Sequence, residues 1–209
     1  MSRSITINEK PIDIWPEDHE VLTLNDHPPM FWSRFNDYQS YHQPLVQRVL
    51  ELEQTGELTH RMEIGGSKVR DIQHWGIPEA DLIHARAIEY LARATSKNTS
   101  EIKLTNCWAS ISRKHEYLSP HSHTDSMASI VYCLQPGDKE DKHFLDGRLA
   151  FVDPRIPYCC PAEAGVATEE LAPEMIEGAM VMFPAELLHF VHPYTGDTPR
   201  ITLAWNLSF

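Results

Sequence analysis

The densest group of side chains that could bind a metal ion lies at residues 119–126, in the segment Ser-Pro-His-Ser-His-Thr-Asp-Ser. Alternate residues of a β-strand point to the same face, so His121, His123 and Asp125 would share a face if the strand extends that far. Three such groups on one side of an iron ion leave the opposite positions open for substrate and oxygen. A His-x-Asp pair is common by chance, and a solvated hairpin turn explains this segment equally well.

A second candidate ligand, His189, follows the apolar segment around Phe183, and Arg200-Ile201-Thr202 comes shortly after it. An arginine offers a planar fork to a carboxylate, and a hydroxyl two residues on can add a hydrogen bond from the same strand face. A buried guanidinium is costly unless it is paired. Arg200 is therefore interpreted either as an exposed residue at the rim of a barrel or as an anion-binding residue.

The elements that would position these residues change in character near residue 100. The apolar periodicity before that point predicts two helices, at 41–53 and 78–95. After it, short alternating or apolar runs separated by Gly, Pro and Asp predict strands at 103–113, 117–123, 129–135, 147–153, 179–184 and 200–207. The expected fold class is α+β but mainly β, a jelly roll or cupin-like barrel braced by N-terminal helices. We expect one domain over 1–209, with a helical part at 1–100 and the barrel at 101–209.

The bulk properties exclude several classes of partner. A chain of 209 residues suits one domain with a buried core. The formal net charge of −12 argues against nucleic acid and anionic membranes as partners. Residues 1–8 lack the apolar region of a signal peptide, and no apolar run is long enough to span a membrane. We expect a cytoplasmic protein whose partner is a small molecule or a protein side chain. The sequence leaves its oligomeric state open, with a homodimer as one option.

The ordered set of His-x-Asp, a distal His and Arg-x-Thr resembles the 2-oxoglutarate/Fe(II)-dependent dioxygenases. Four stretches resemble more closely the short bacterial and phage 2-oxoglutarate-Fe(II) oxygenases, and together they cover residues 106–209. They are Trp108–Arg113 with Tyr117–His123, then Ser129–Leu134, Gly147–Arg155 and Met182–Asn206.

This resemblance implies a double-stranded β-helix with Fe(II) at its open end and 2-oxoglutarate as cosubstrate. The far carboxylate of 2-oxoglutarate would meet Arg200 and Thr202, and Tyr132 would hydrogen-bond the cosubstrate. The family strand usually reads Ser-Gly-Val-Tyr-Tyr, whereas this chain has Ser-Ile-Val-Tyr-Cys, so that Cys133 replaces the second tyrosine. The implied reaction is hydroxylation of an unidentified substrate with release of succinate and CO2.

Two sets of iron ligands are compatible with the resemblance. One is His123, Asp125 and His189, and the other is His121, His123 and His189. We favour the first, because a carboxylate balances the charge of the metal, and we assign its three members as catalytic.

Two other functions remain open. A cupin-like metal enzyme without 2-oxoglutarate, such as a three-histidine iron dioxygenase or an isomerase, would use the all-histidine set and leave Arg200 idle. A barrel that binds a ligand without catalysis is the third reading, which Cys133 and the Cys159-Cys160 pair keep open.

Overall fold

The computed structural model of the chain describes residues 3–26, 28–62, 65–138, 145–152 and 170–209. The predicted Cys159-Cys160 feature lies outside these residues. Within them, two α-helices are His42–Thr55 (α1) and Pro78–Thr95 (α2). Short 3-10 helices occupy Tyr38–Ser40, Ile72–His74 and Thr99–Glu101.

The strands of the described residues fall in both halves of the chain. The first six are Ser4–Ile7 (β1), Lys10–Asp13 (β2), His19–Asp26 (β3), Pro29–Phe35 (β4), Thr59–Arg61 (β5) and Ser67–Arg70 (β6). The others are Lys103–Ser112 (β7), Leu118–His121 (β8), Ala128–Gln135 (β9), Leu149–Val152 (β10), Glu170–Leu171 (β11), Ala179–Pro184 (β12), His189–Val191 (β13) and Arg200–Ser208 (β14).

Two antiparallel sheets face each other across an apolar layer. The large sheet has the order β3-β4-β12-β9-β14-β7-β6-β5, and the small sheet has the order β11-β10-β13-β8, while β1 and β2 form a separate hairpin. Trp32, Val181 and Phe183 of the large sheet pack against Leu149 and Phe151 of the small one. The predicted mainly β, double-sheet jelly roll is confirmed.

The two helices cover the other face of the large sheet. Leu45 and Val49 of α1 pack with Leu203 and Trp205 of β14, all of them buried. Full burial of one such side chain stabilises the fold by about 1.5–3 kcal/mol. α2 begins at Pro78, whose missing N–H costs nothing in a first turn, and it spans the predicted range. No helix in the described part of the chain is long and apolar enough to cross a membrane.

The N-terminal part differs from the helical expectation, because it supplies β3, β4, β5 and β6 to the large sheet. These strands are hard to read from the sequence. In β6, for example, only Val69 is a buried apolar residue, and its neighbours are polar. The predicted strand 117–123 also ends earlier, since β8 stops at His121.

Candidate active site

Three histidines lie close together at one end of the small sheet, where β8 ends and β13 begins. His121 ends β8 and pairs in register with His189, the first residue of β13. His123 lies just beyond β8, where its backbone N–H donates a 2.8 Å hydrogen bond to the carbonyl of Ala185. One ring nitrogen from each histidine lies within 4.8 Å of the others. That spacing allows one metal ion to bind all three.

Hydrogen bonds fix which ring nitrogen is free in two of these histidines. His121 Nδ1 lies 2.8 Å from the carbonyl of Ser119, and His189 Nδ1 lies 2.8 Å from the carbonyl of Leu187. A carbonyl can only accept, so each Nδ1 carries the proton and donates it. Nε2 then has its lone pair available, which is the arrangement that metal-binding histidines need.

Burial lowers the pKa of two of these histidines, His189 and His123, and so favours their neutral form. Burial lowers the pKa of His189 to about 4, helped by the nearby His121, His123 and Lys68 and opposed by the hydrogen bond to Leu187. It also lowers the pKa of His123, with a smaller opposing effect from Asp125. Neutral imidazole is the metal-binding form, so the site does not have to lose protons before it binds a cation.

Asp125 is not part of this group. It is exposed in the turn that follows His123, and its carboxylate accepts a 3.3 Å hydrogen bond from the hydroxyl of Ser126. Because β8 ends at His121, the strand alternation that would have aligned Asp125 with the histidines stops before it. The described residues therefore assemble the second of the two expected ligand sets, His121, His123 and His189.

Arg200 and Thr202 lie on one face of β14 and line the same cavity as the three histidines. Both side chains are only 5% exposed. Burial lowers the pKa of Arg200, partly offset by Cys133, Tyr194 and Asp146, but a guanidinium stays charged at pH 7. No carboxylate in the described part of the chain forms an ion pair with it. A buried cation without such a partner is costly, which marks a place for an anionic ligand.

Tyr132 occupies a different place from the expected one. It points to the helix side of β9, where its hydroxyl meets the Tyr41 hydroxyl at 2.9 Å and Nε2 of His42. It is fully buried in the helix-side core and does not line the cavity. This corrects the expectation that Tyr132 binds the cosubstrate. Cys133, one residue later, pairs with Thr202 and lies on the cavity side.

Two cavity residues were missed by the sequence analysis as parts of the site, Lys68 and Trp108. They lie on the neighbouring strands β6 and β7, and the ammonium of Lys68 lies 4.5 Å from the centre of the Trp108 ring. The available signal was the single apolar Val69 between the polar residues Lys68 and Arg70 in the segment Ser67–Arg70. This segment covers four residues, too few to separate a strand from a loop.

The sequence of residues 106–206 matches the profile of the family described as Putative 2OG-Fe(II) oxygenase. No curated protein matches the chain by sequence. The matched segment begins in β7 and ends in β14. It therefore contains all three histidines, Arg200 and Thr202.

Several solved structures share the fold at low sequence identity. AviO1 from Streptomyces viridochromogenes is 14% identical, with a TM-score of 0.61 over 85% of this chain and 89% of that one. A Pseudomonas putida prolyl-4-hydroxylase is 15% identical, with a TM-score of 0.57 over 91% and 88%. The epimerase SnoN, solved with Fe3+ and alpha ketoglutarate, is 12% identical, with a TM-score of 0.62 over 85% and 78%.

Proposed function

The barrel segment of this chain belongs to the 2-oxoglutarate/Fe(II)-dependent oxygenases, and from that premise we propose that His121, His123 and His189 hold the iron while Arg200 and Thr202 hold the cosubstrate. The chain is thus a 2-oxoglutarate-dependent non-haem iron oxygenase, with Fe(II) and 2-oxoglutarate as its cofactors. Hydroxylation of a small molecule or a protein side chain is the reaction we propose for it.

One observation carries the residue assignment. A cluster of three histidines lines the same cavity as Arg200, a buried arginine that has no carboxylate partner among the residues the structure describes. A metal ion alone would explain the histidines but would leave Arg200 without a role. A ligand that binds metal at one end and carries a carboxylate at the other accounts for both.

The charges of the proposed site are balanced without Asp125. Three neutral imidazoles leave the two positive charges of Fe(II) uncompensated, and Arg200 adds a third. 2-Oxoglutarate is a dianion, so its binding offsets most of that charge. The carboxylate ligand that the sequence analysis favoured is therefore not required for electrostatic reasons.

The chain's own groups would bind and orient the reactants. The guanidinium of Arg200 would hold the far carboxylate of 2-oxoglutarate, and the hydroxyl of Thr202 would donate a further hydrogen bond to it. Val131, Leu149 and Phe183 line the cavity beside them and exclude water, which strengthens these interactions. When bound, Fe(II) with 2-oxoglutarate and oxygen supplies the oxidant for a substrate C–H bond, with release of succinate and CO2.

An anaerobic titration tests the assignment. Fe(II) and 2-oxoglutarate added together should give a weak visible charge-transfer band in the wild type. Arg200→Gln should require more 2-oxoglutarate to develop it, and His189→Ala should not develop it. An absent band in the wild type, or an unchanged affinity in Arg200→Gln, would overturn the assignment. Oxygen uptake that needs no 2-oxoglutarate would favour the three-histidine dioxygenase instead.

We also propose that the protein acts in a reducing compartment, the cytoplasm. Among the described residues, the buried Cys107 is a free thiol, as expected where disulfides do not form. Measuring the free thiol content of protein purified without reductant tests this. Intermolecular or intramolecular disulfides in the freshly isolated protein would contradict it.

A further inference from the structure

Two cationic side chains lie on β6, a strand that the proposed function does not use. They are next to the cavity lined by the three histidines and Arg200, called here the metal cavity. Lys68 and Arg70 alternate along β6 with Val69, which is buried against the helices. Their side chains therefore lie on the barrel side of the large sheet. Lys68 is paired with Ser110 and Arg70 with Trp108 on β7.

Lys68 and Arg70 form no ion pair with an acidic residue in the described ranges of the chain, although the chain carries a net charge of −12. Other basic residues do find partners, such as those of the ion pairs Arg61–Glu116, Arg86–Asp37 and Arg113–Glu53. Lys68 is instead held over the face of Trp108, 4.5 Å from the ring centre. A cation–aromatic contact of this kind is favourable but leaves the charge uncompensated.

The surroundings of Lys68 make an anion favourable there. The side chain is half-buried, and both burial and the like charge of Arg70 lower the pKa of Lys68. An anion bound between Lys68 and Arg70 would offset both the cost of burying the ammonium and the repulsion between the two cations.

A groove connects these residues to the histidines. It has a volume of about 180 Å³, and its lining includes Lys68, Arg70, Asp71, Trp108, His123 and Asn206. Lys68, Trp108, His123 and Asn206 also line the metal cavity, so the two spaces adjoin. Asn206 is held in place because its amide donates to Asn106 at 2.9 Å and accepts from Ser129 at 2.7 Å.

We infer that Lys68 and Arg70 bind an oxyanion of the substrate, a carboxylate or a phosphate, while the body of the substrate lies against Trp108 and extends towards His123. This inference deepens the proposed function and rests on it. Arg200 would bind the cosubstrate carboxylate from β14, and Lys68 and Arg70 would bind the substrate from β6. The substrate class is thus a small anionic molecule or an anionic side chain.

Calorimetric titration of the full chain, loaded with Zn(II) and saturated with 2-oxoglutarate, tests the inference. The probes are benzoate, phenyl phosphate and the neutral benzamide. At least one anion should bind about tenfold more tightly than benzamide, and the tighter of the two identifies a carboxylate or a phosphate as the natural group. Lys68→Gln and Arg70→Gln should each weaken binding of that anion by about tenfold without changing benzamide binding.

Two further variants control for charge and folding. Lys68→Arg keeps the cation and should keep the preference for anions. Lys103→Gln removes an exposed cation from the same sheet, on β7, and should leave all three dissociation constants unchanged. Trp108→Phe should weaken the binding of all three probes to a similar extent, because each contains a phenyl ring that would pack against the Trp108 side chain.

The inference is overturned if neither anion binds saturably, if anions and benzamide bind alike, or if Lys68→Gln behaves as Lys103→Gln does. It is also overturned if Lys68→Gln weakens 2-oxoglutarate binding and leaves the probes unaffected, since Lys68 would then serve the cosubstrate. The anaerobic Fe(II) titration reports separately on the proposed function. A normal charge-transfer band without anion preference removes this inference alone. Anion preference without the band removes the proposed function, and with it the assignment of the bound anion as a substrate.

Discussion

His121 and His189 face each other as a register pair across β8 and β13, with their ring centres 4.3 Å apart. Each donates from Nδ1 to the carbonyl two residues earlier in the chain, His121 to Ser119 and His189 to Leu187. Two antiparallel strands thus hold two imidazoles in matching tautomers. His123 completes the group, with its ring centre 5.2 Å from that of His121 and 5.3 Å from that of His189.

Alanine at any of these three positions should remove iron. Each substitution deletes one of three proposed ligands, and the loss should exceed the effect of deleting an outer hydrogen-bond partner, which is typically 10–100-fold. We therefore expect iron affinity to fall by about 100-fold or more in His121→Ala, His123→Ala and His189→Ala. Iron content after reconstitution and dialysis measures this.

Asp125→Asn is the matched control, because Asp125 was the alternative ligand and its turn keeps the same shape with an amide. Iron content and 2-oxoglutarate turnover should both be retained. If Asp125→Asn loses iron while His121→Ala keeps it, the carboxylate and not His121 completes the triad.

Substitution of Arg200 should act on the cosubstrate. Arg200→Gln removes the charged fork and should raise the half-saturating concentration of 2-oxoglutarate by about 30-fold or more, equivalent to about 2 kcal/mol. Arg200→Lys should lie between the wild type and Gln, because an ammonium keeps the charge but not the paired donors. Succinate formation at varied 2-oxoglutarate concentration gives these values.

Thr202→Val is the companion variant. It should weaken the binding free energy of 2-oxoglutarate by about 1 kcal/mol, because it removes one neutral hydrogen-bond donor. The unfolding free energy of Arg200→Gln without ligands should not fall, since the substitution removes a buried charge that has no acidic partner in the described residues. A large loss of stability with unchanged 2-oxoglutarate affinity would mean that Arg200 is a structural residue.

The sequence predicts the site better than it predicts the strands that enclose it. α2 begins at its predicted residue because Pro78, Glu79 and Asp81 all favour a first helical turn. The sequence also predicts that His189, Arg200 and Thr202 belong to one site. Their residue types and spacing indicate a metal ligand followed by an anion-binding pair, and this does not depend on the exact strand register. β6 was not readable, because its cavity side carries Lys68 and Arg70, which look like surface residues.

The error at Tyr132 has a simple geometric cause. Successive residues of a strand face opposite sides, so a shift of one position moves a side chain from the cavity to the helix layer. Tyr132 and Cys133 differ by that one step, and the chemistry of a tyrosine hydroxyl favoured the wrong choice. The pairing of Cys133 with Thr202 across β9 and β14 decides the question, and pairing between distant segments is not visible in one sequence.

Tyr132→Phe should therefore affect stability and not the cosubstrate. The ring still fills its buried place, but Tyr41 and His42 each lose a hydrogen-bond partner. We expect the unfolding free energy to fall by about 1–3 kcal/mol, with an unchanged half-saturating concentration of 2-oxoglutarate. Denaturant unfolding measures the change in stability, and succinate formation at varied 2-oxoglutarate concentration measures the half-saturating concentration. Weakened 2-oxoglutarate binding with unchanged stability would restore Tyr132 to the cosubstrate site.

His42 should make the stability of the protein depend on pH. Burial, and then the nearby Arg86, lower the pKa of His42 from 6.5 to about 3. Within the described ranges, its buried Nδ1 has no hydrogen-bond partner. The folded pKa lies below the unfolded one, so as pH falls below about 6.5 the unfolded chain takes up a proton that the folded chain refuses. The unfolding free energy should then drop, by about 2 kcal/mol between pH 7 and pH 5 from this residue alone.

His42→Gln isolates this contribution, because glutamine does not titrate and the other histidines are common to both proteins. Denaturant unfolding of the two proteins at pH 7 and pH 5 gives the difference directly. The variant should lose about 2 kcal/mol less than the wild type over that interval, even if it is less stable than the wild type at pH 7. Equal losses in the two proteins would mean that His42 takes up its proton in the folded state as readily as in the unfolded chain, and that the polar group around Tyr132 rearranges to accept the charge.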